Sequence, residues 1–380
     1  MSEPTVLVLG GYGRAGSAIV RLLLEHSTAR VVIGGRNADR AQSEATRLGS
    51  EFPNRVRGIW ADTADPDLLR QETFGGIDIA VIASPTVACA EEVARAALAC
   101  GVDYLDIQYS SKKWARLRPF QERIRQAGRC FITEAGLLPG LPSALSRIAA
   151  VDFESTDTAR VELCIQPDPA KPLTNEVLAE LVEELRDYEA SVLQDGQWKK
   201  TRIGRPAEAD FGHPLGKRRV FPIGLEEMRG LPGALPGLRD ASCSIAGMNW
   251  FVDWMLMPLI PLSYRLKKGA PQRMPRLLGW GLRQFATAPY GAAAQVHVLG
   301  RRGGAPGERH VQVYHPDEYA LTAAPVAACL LQYLDGSARK PGLWCMGHLV
   351  EPRRFASDLQ RMGIELTTRD GVSARVTAGF

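Results

Sequence analysis

The seven cysteines of this 380-residue chain, Cys89, Cys100, Cys130, Cys164, Cys243, Cys329 and Cys345, include no C-x-x-C pair. A scattered, odd-numbered set of this kind excludes a disulfide scaffold and reads as small buried hydrophobes in a reducing compartment. The first strand pattern begins within a few residues of Met1, where the apolar core of a signal peptide would have to lie, so the expected location is cytoplasmic. The six histidines show no H-E-x-x-H run and no paired metal spacing, so no metal site is expected; His297 and His315 read as core or rim residues of strands. A G-x-S-x-G elbow, a Walker A loop and a Tyr-x-x-x-Lys pair are all missing, which sets aside the chemistries built on them. A net charge of +4 with no basic stripe excludes a nucleic-acid footprint. Long apolar runs are lacking too. The greasiest stretch, Trp250 to Leu262, carries Asp253, is broken by Pro258 and Pro261, and falls short of the about 20 apolar residues that a span requires. Its readings are a buried helix or subunit interface, a greasy substrate tunnel, or a membrane-surface contact.

What is present is ordinary globular material, 45% hydrophobic and 23% charged, on a length that predicts two domains. The first 135 residues alternate strand-like and helix-like patterns. Strands are expected at Val6–Leu9, Arg30–Gly34, Val56–Trp60, Ile77–Ile82, Val102–Asp106 and Cys130–Thr133, with helices at Ala38–Leu48, Ala88–Cys100 and Trp114–Ala127. Six strands in this rhythm predict an α/β Rossmann fold, a doubly wound parallel sheet. Beyond Gly140 the period changes to two at Ala159–Ile165, announcing a second α+β domain with a mixed sheet. There, Thr174–Gln194 reads as one helix with Asn175 as a cap, Arg202–Pro236 as a turn-rich stretch, and Gln295–Gly300 with His310–His315 as a hairpin. A helix at Thr322–Leu334 and a short tail follow. The expected division is 1–140 for the cofactor domain, 141–318 for a substrate and dimerisation domain, and 319–380 for a segment packing back on the first.

The chemistry-bearing motif is Gly11-Tyr12-Gly13-Arg14-Ala15-Gly16, a G-x-G-x-x-G run directly continuing the first strand. Its glycines permit a tight turn, close approach of backbone to a pyrophosphate, and close helix-on-strand packing; the phosphates would face a helix N-terminus. Tyr12 and Arg14 are placed to contact phosphate. The second strand ends, 20 positions past Gly16, at Arg36-Asn37, a guanidinium and an amide where the ribose 2′-phosphate of NADP would sit. NADP is therefore the favoured cofactor, with NAD left open by the reading of Arg36 as a surface arginine. Asp62, after the third strand, is positioned for the adenine amine or as a turn cap. Ala83-Ser84-Pro85 ends the fourth strand at the topological switch point, where ribose and nicotinamide should lie. The loops after strands five and six bring Asp106, Tyr109, Glu134 and Gly136 to the same sheet edge. Tyr109, Asp106 and Glu134 are the candidate proton donors or acceptors, each with a plain structural alternative as packing, cap or strand end.

These residues resemble the saccharopine dehydrogenase-like family. The resemblance rests on Val6 to Gly16, on Gly35-Arg36-Asn37, on Val81 to Pro85 and above all on Ala97 to Asp106, and it extends to Gly136 to Ser143 and more loosely to Tyr319 to Phe380. It implies a cofactor domain with an inserted mixed-sheet domain, a cleft between them, a homodimer, and NAD(P)-linked reduction of an imine joining an amino acid to an oxo acid. The middle of the chain departs from the saccharopine enzymes, whose substrate-carboxylate arginines are not matched there. Trp250 to Leu262, with Trp280 and Phe285, suits a larger, more apolar substrate. The expected activity is thus NADP-dependent reduction of a C=N, C=O or C=C bond; the alternative is a non-catalytic cofactor-binding or membrane-surface protein.

Overall fold

A computed structural model describes residues 3–65, 73–84, 87–108, 113–186, 188–201, 206–266 and 273–371. The chain divides into two compact units, Met1–Ala144 with Tyr319–Ile364, and Leu145–Glu318 with Glu365–Phe380.

In the first unit the strands β1 (Thr5–Leu9), β2 (Arg30–Gly35), β3 (Val56–Trp60), β4 (Ile79–Ile82), β5 (Asp103–Asp106), β6 (Cys130–Thr133) and β15 (Gly342–Cys345) form one sheet in the order β15-β6-β5-β4-β1-β2-β3. Every pairing is parallel. Strands covered on both faces must be apolar throughout, and Val6 to Leu9 and Ile79 to Ile82 are at most 1% exposed. Parallel neighbours require crossovers, which the helices supply. Helix α1 (Arg14–His26) buries Gly16, Ile19, Val20, Leu23 and Leu24, a stripe at helical spacing. Helix α2 (Ala38–Gly49) buries Ala41, Ala45 and Leu48 on the same spacing. The alanine-rich helix Ala90–Ala99 lies close to the sheet because its buried side is small. Strand order reverses between β1 and β4, which puts the switch point at the ends of those two strands.

Six strands were expected in this sheet; the seventh, β15, is a four-residue Gly-Leu-Trp-Cys segment too short to show a period. Asp103, 1% exposed at the start of β5, anchors the far end of the helix Glu318–Leu334: its Oδ2 accepts from the Tyr333 hydroxyl at 2.6 Å and from Arg339 Nε at 3.1 Å, and its Oδ1 from the Cys130 amide.

The second unit is a mixed sheet of β7 (Ser155–Gln166), β8 (Ala190–Gln194), β9 (Gln197–Thr201), β10 (Ala207–Asp210), β11 (Lys217–Ile223), β12 (Asp240–Ala246), β13 (Gly291–Arg302), β14 (Ala305–His315) and β16 (Glu365–Gly371). Its main path is β10-β11-β12-β7-β13-β14-β16, with β8 on β12 and β9 on β8; the β12–β7 pair is parallel and the others are antiparallel. The hairpin forms as read, longer than expected and closed by Gly303-Gly304.

Three expectations change here. The single helix over Thr174–Gln194 is a helix at Asn175–Arg186 followed by β8, and its cap is Thr174, whose Oγ1 accepts from the Val177 amide. The turn-rich stretch contains β10 and β11, whose short runs of charged residues hid their pairing. The closing segment is divided: residues 319–364 belong to the first unit, and the chain then returns to the second sheet as β16. The helices Asn175–Arg186, Met257–Leu266 and Met274–Gln284, with the π-helical turn Val252–Leu256, pack around Leu178, Val182, Val252, Leu256, Ile260 and Leu278. No helix among the described residues is long and apolar enough to cross a membrane.

Candidate functional site

At the switch point the chain leaves β1, turns at Gly10, and enters α1 at Arg14. Gly10 has φ +83° and donates its amide to the Gly34 carbonyl at 2.7 Å. A Cβ there would stand 2.9 Å from the Ala83 carbonyl and the Ser84 amide nitrogen; one on Gly16 would stand 2.2 Å from the Gly10 oxygen. Both neighbours are backbone and cannot swing aside, so the end of β4, the turn and the first turn of α1 meet at a distance only glycine allows. Gly10 was not among the expected site residues, although its place before the hexad was the available signal. Helix α1 starts at Gly13 with no side-chain cap and no acid in its first turn, so Gly13, Arg14, Ala15 and Gly16 present a positive helix end to the switch point. Gly11 is buried beneath it. The exposed Arg14 guanidinium lies 5.5 Å from the centre of the Tyr319 ring.

Tyr12 is carried toward the end of β2. Its ring fills the space beside Gly35, where a Cβ would come 2.4 Å from Tyr12 Cε1, and its hydroxyl accepts from the Asn37 amide at 3.3 Å. The Arg40 guanidinium stacks 4.7 Å from the same ring centre. Tyr12 therefore lies at the end of β2, beside Gly35, Asn37 and Arg40. Arg36 is exposed. Asn37 caps α2 through Oδ1, which accepts from the Arg40 amide at 2.9 Å and leaves its amino group outward. Arg40 was missed by sequence reasoning, although it stands four residues beyond Arg36 in the first turn of α2. Asp62 takes the capping alternative: its Oδ1 accepts from the Ala64 amide at 3.0 Å.

Along the sheet edge, Ala83 and Ser84 are half-buried, and the Ser84 carbonyl accepts from Gln108 Nε2 at 2.6 Å; Pro85 and Tyr109 lie outside the described residues. Asp106 is fully buried. Its carboxylate pairs with Lys113 Nζ, itself 1% exposed, and accepts from Thr133 Oγ1 at 3.0 and 3.2 Å. Lys113 also donates to the Gln108 carbonyl, so this one buried ammonium ties Gln108 and Asp106, at the end of β5, to the start of the next helix. The Tyr104 phenol stays neutral because burial, and then the Asp106 charge, raise it well above its usual value. Lys113 gave no sequence signal, since a lysine seven residues past a strand end is ordinarily solvated. Glu134 is 5% exposed in a left-handed conformation at φ +54°, and Cys345 Sγ donates to its Oε2 at 3.5 Å. Gly136, buried at φ +137°, follows it.

A dinucleotide fits this edge: a glycine cradle that a Cβ would fill, an uncapped helix end for a pyrophosphate, and two arginines about Tyr12 and Asn37 for a phosphorylated ribose.

Comparison with known proteins agrees. Residues 6–132 match the family described as saccharopine dehydrogenase NADP binding domain. The fold is similar to that of saccharopine dehydrogenase (L-Glu forming) from Saccharomyces cerevisiae, at TM-score 0.70 and 15% identity over 97% of this chain and 100% of that one. Weaker likenesses include a probable dehydrogenase from Thermotoga maritima (TM-score 0.47, 11% identity, 94% of each chain) and a myo-inositol dehydrogenase from Corynebacterium glutamicum (0.45, 11%, 95% of each). No curated protein matches the sequence. Residues 6–132 thus match the saccharopine dehydrogenase NADP-binding domain family, within a chain whose fold is similar to that of saccharopine dehydrogenase.

Proposed function

We propose that the chain is an NADP-dependent oxidoreductase reducing a C=N, C=O or C=C bond of a small or apolar metabolite at the edge where β1, β4, β5 and β6 end. The observation that carries this reading is the pairing of the uncapped α1 N-terminus with Arg36 and Arg40 at the end of β2. One helix end receives the pyrophosphate, and two permanently charged guanidinium groups answer the 2′-phosphate. NADPH, when bound, supplies the hydride. Gly10, Gly13 and Gly16 keep side chains out of its path, and Tyr12 gives the ribose end a rigid wall. Asp106, enclosed by Lys113 and Thr133, acts as a positioning residue: it holds Lys113 against the end of β5 instead of exchanging protons with a ligand. Glu134 and Tyr109 are then the proton-carrying groups, with the Cys345 thiol orienting the Glu134 carboxylate.

Arg36→Ala and Arg40→Ala should each weaken NADPH binding by roughly ten-fold or more while leaving NADH nearly unchanged, the loss of one charge-assisted contact. Titration of cofactor fluorescence checks this, and equal losses for both cofactors would overturn the ribose-phosphate assignment. NADPH oxidation against panels of imines, carbonyls and activated alkenes tests turnover. Binding without oxidation across all three panels would leave the non-catalytic alternative.

A further inference from the structure

Apart from Asp253 the segment from Trp250 to Leu262 is apolar, yet only one side of it is covered. Val252, Leu256 and Ile260, spaced four apart, are buried against the helices of the second unit. On the opposite side Trp254 and Met255 are each 51% exposed, Trp250 is 58% exposed, and Leu259 and Leu262 are nearly as open. A helix in water normally turns polar residues outward, so a contiguous greasy outer face marks a contact surface. The neighbouring helix Met274–Gln284 extends it. Arg273, Arg276, Trp280 and Arg283 recur at intervals of three and four and all are exposed, which places them on one helical face. Trp250, Phe251, Trp280 and Phe285 interlock, with ring centres 4.9 to 5.9 Å apart, and join the two helices into one surface. Arg219, exposed on β11, lies 5.9 Å from the Trp254 ring centre.

Charge selects the occupant. Arg219, Arg273, Arg276 and Arg283 pair with no carboxylate among the described residues. Between 249 and 285 the sequence contains a single acid, Asp253. Its carboxylate is turned away, accepting from the Met248 amide at 3.0 Å, and burial raises its pKa. A second copy of the chain, meeting this face across a two-fold axis, would set arginine against arginine with no acid to answer. Tryptophans ringed by arginines match the depth profile of a bilayer surface instead, with indoles at the headgroup level and cations beside lipid phosphates. We propose that this face docks the protein on an anionic lipid bilayer without spanning it.

The test is flotation of the full chain with vesicles of phosphatidylcholine alone and of phosphatidylcholine mixed with phosphatidylglycerol. The wild-type chain should float with the mixed vesicles, lose binding as salt is raised, and have its tryptophan fluorescence quenched by brominated acyl chains. Trp254→Ser with Leu259→Ser should abolish flotation. Arg273→Glu, Arg276→Glu and Arg283→Glu should each cost about five-fold or more in partitioning, from about 1 kcal/mol per surface cation. NADPH affinity, read on a different unit, should stay unchanged in all of them. Three results would overturn the proposal: a wild-type chain that stays down with both vesicles, quenching absent from bound protein, or a dimer in sedimentation equilibrium that Trp254→Ser dissociates. The quenching arm needs no variant and does not depend on any substitution folding.

Discussion

Asp106 illustrates how one residue type at one position carries two readings that a linear pattern cannot separate. At the C-terminal end of a parallel strand, beside the switch point, a carboxylate is well placed for acid-base work. The folded chain instead closes Lys113 and Thr133 over it and leaves both members of the ion pair at most 1% exposed. A buried pair contributes little net stability, but removing one partner strands the other charge. Asp106→Asn should therefore destabilise the chain by about 3–5 kcal/mol, whereas the double variant Asp106→Leu with Lys113→Met should recover most of that loss. Urea unfolding of the two variants checks this. A mild effect of Asp106→Asn on stability with a large fall in turnover would return Asp106 to the reaction. Tyr12 shows the same limit: its place in the glycine turn was legible, but its contact with Gly35 and Arg40 depends on β1 and β2 lying side by side.

Elements were most legible where burial on both faces imposed continuous apolar runs or where helical spacing repeated over several turns, as in β1, β4 and α1. Short or polar strands were hidden because pairing, not local pattern, makes them strands. β15 is four residues long, and β16, Glu365 to Gly371, is nearly all exposed. What secures β16 is charge. Arg309, 8% exposed on β14, grips Asp370 with Nε at 2.6 Å and Nη2 at 3.2 Å and takes Asp152 through Nη1, while Arg302 adds a further contact to Asp370. Hydrogen bonds from Arg309 and then Arg302 hold the Asp370 carboxyl at about 2. A lowered folded-state pKa stabilises above the ordinary value near 4, and that contribution disappears as pH falls through about 2. Solvent keeps the effect small, because Asp370 is 45% exposed. Amide exchange of β16 should accelerate between about pH 4 and about pH 2, and Asp370→Asn should remove that dependence while leaving the β7–β13 ladder unchanged.

Across the whole molecule, the cysteines link composition to architecture. Cys130, Cys164, Cys243, Cys329 and Cys345 are buried and Cys100 is exposed. Burial pushes the thiols of Cys130 and Cys164 up to about 12 and about 11, and raises those of Cys243 and Cys329 well above the usual thiol range. Iodoacetamide at mildly alkaline pH should therefore alkylate Cys100 rapidly in the native chain and Cys130, Cys164, Cys243 and Cys329 after denaturation, read by peptide mapping; fast native labelling of Cys130 would show that β6 opens. The amino-acid order alone was enough for the Rossmann half and its NADP-binding turn, because those depend on local requirements: runs that tolerate burial on both faces, glycines where backbones touch, a cation 20 residues on. Tertiary structure alone decided that Asp106 is enclosed, that Tyr12 arrives beside Gly35 and Arg40, that the tail splits between two sheets, and that one side of the Trp250–Leu262 segment faces water. Each of these depends on which distant residue arrives alongside, and long-range pairing leaves no period in the chain from which it could be read.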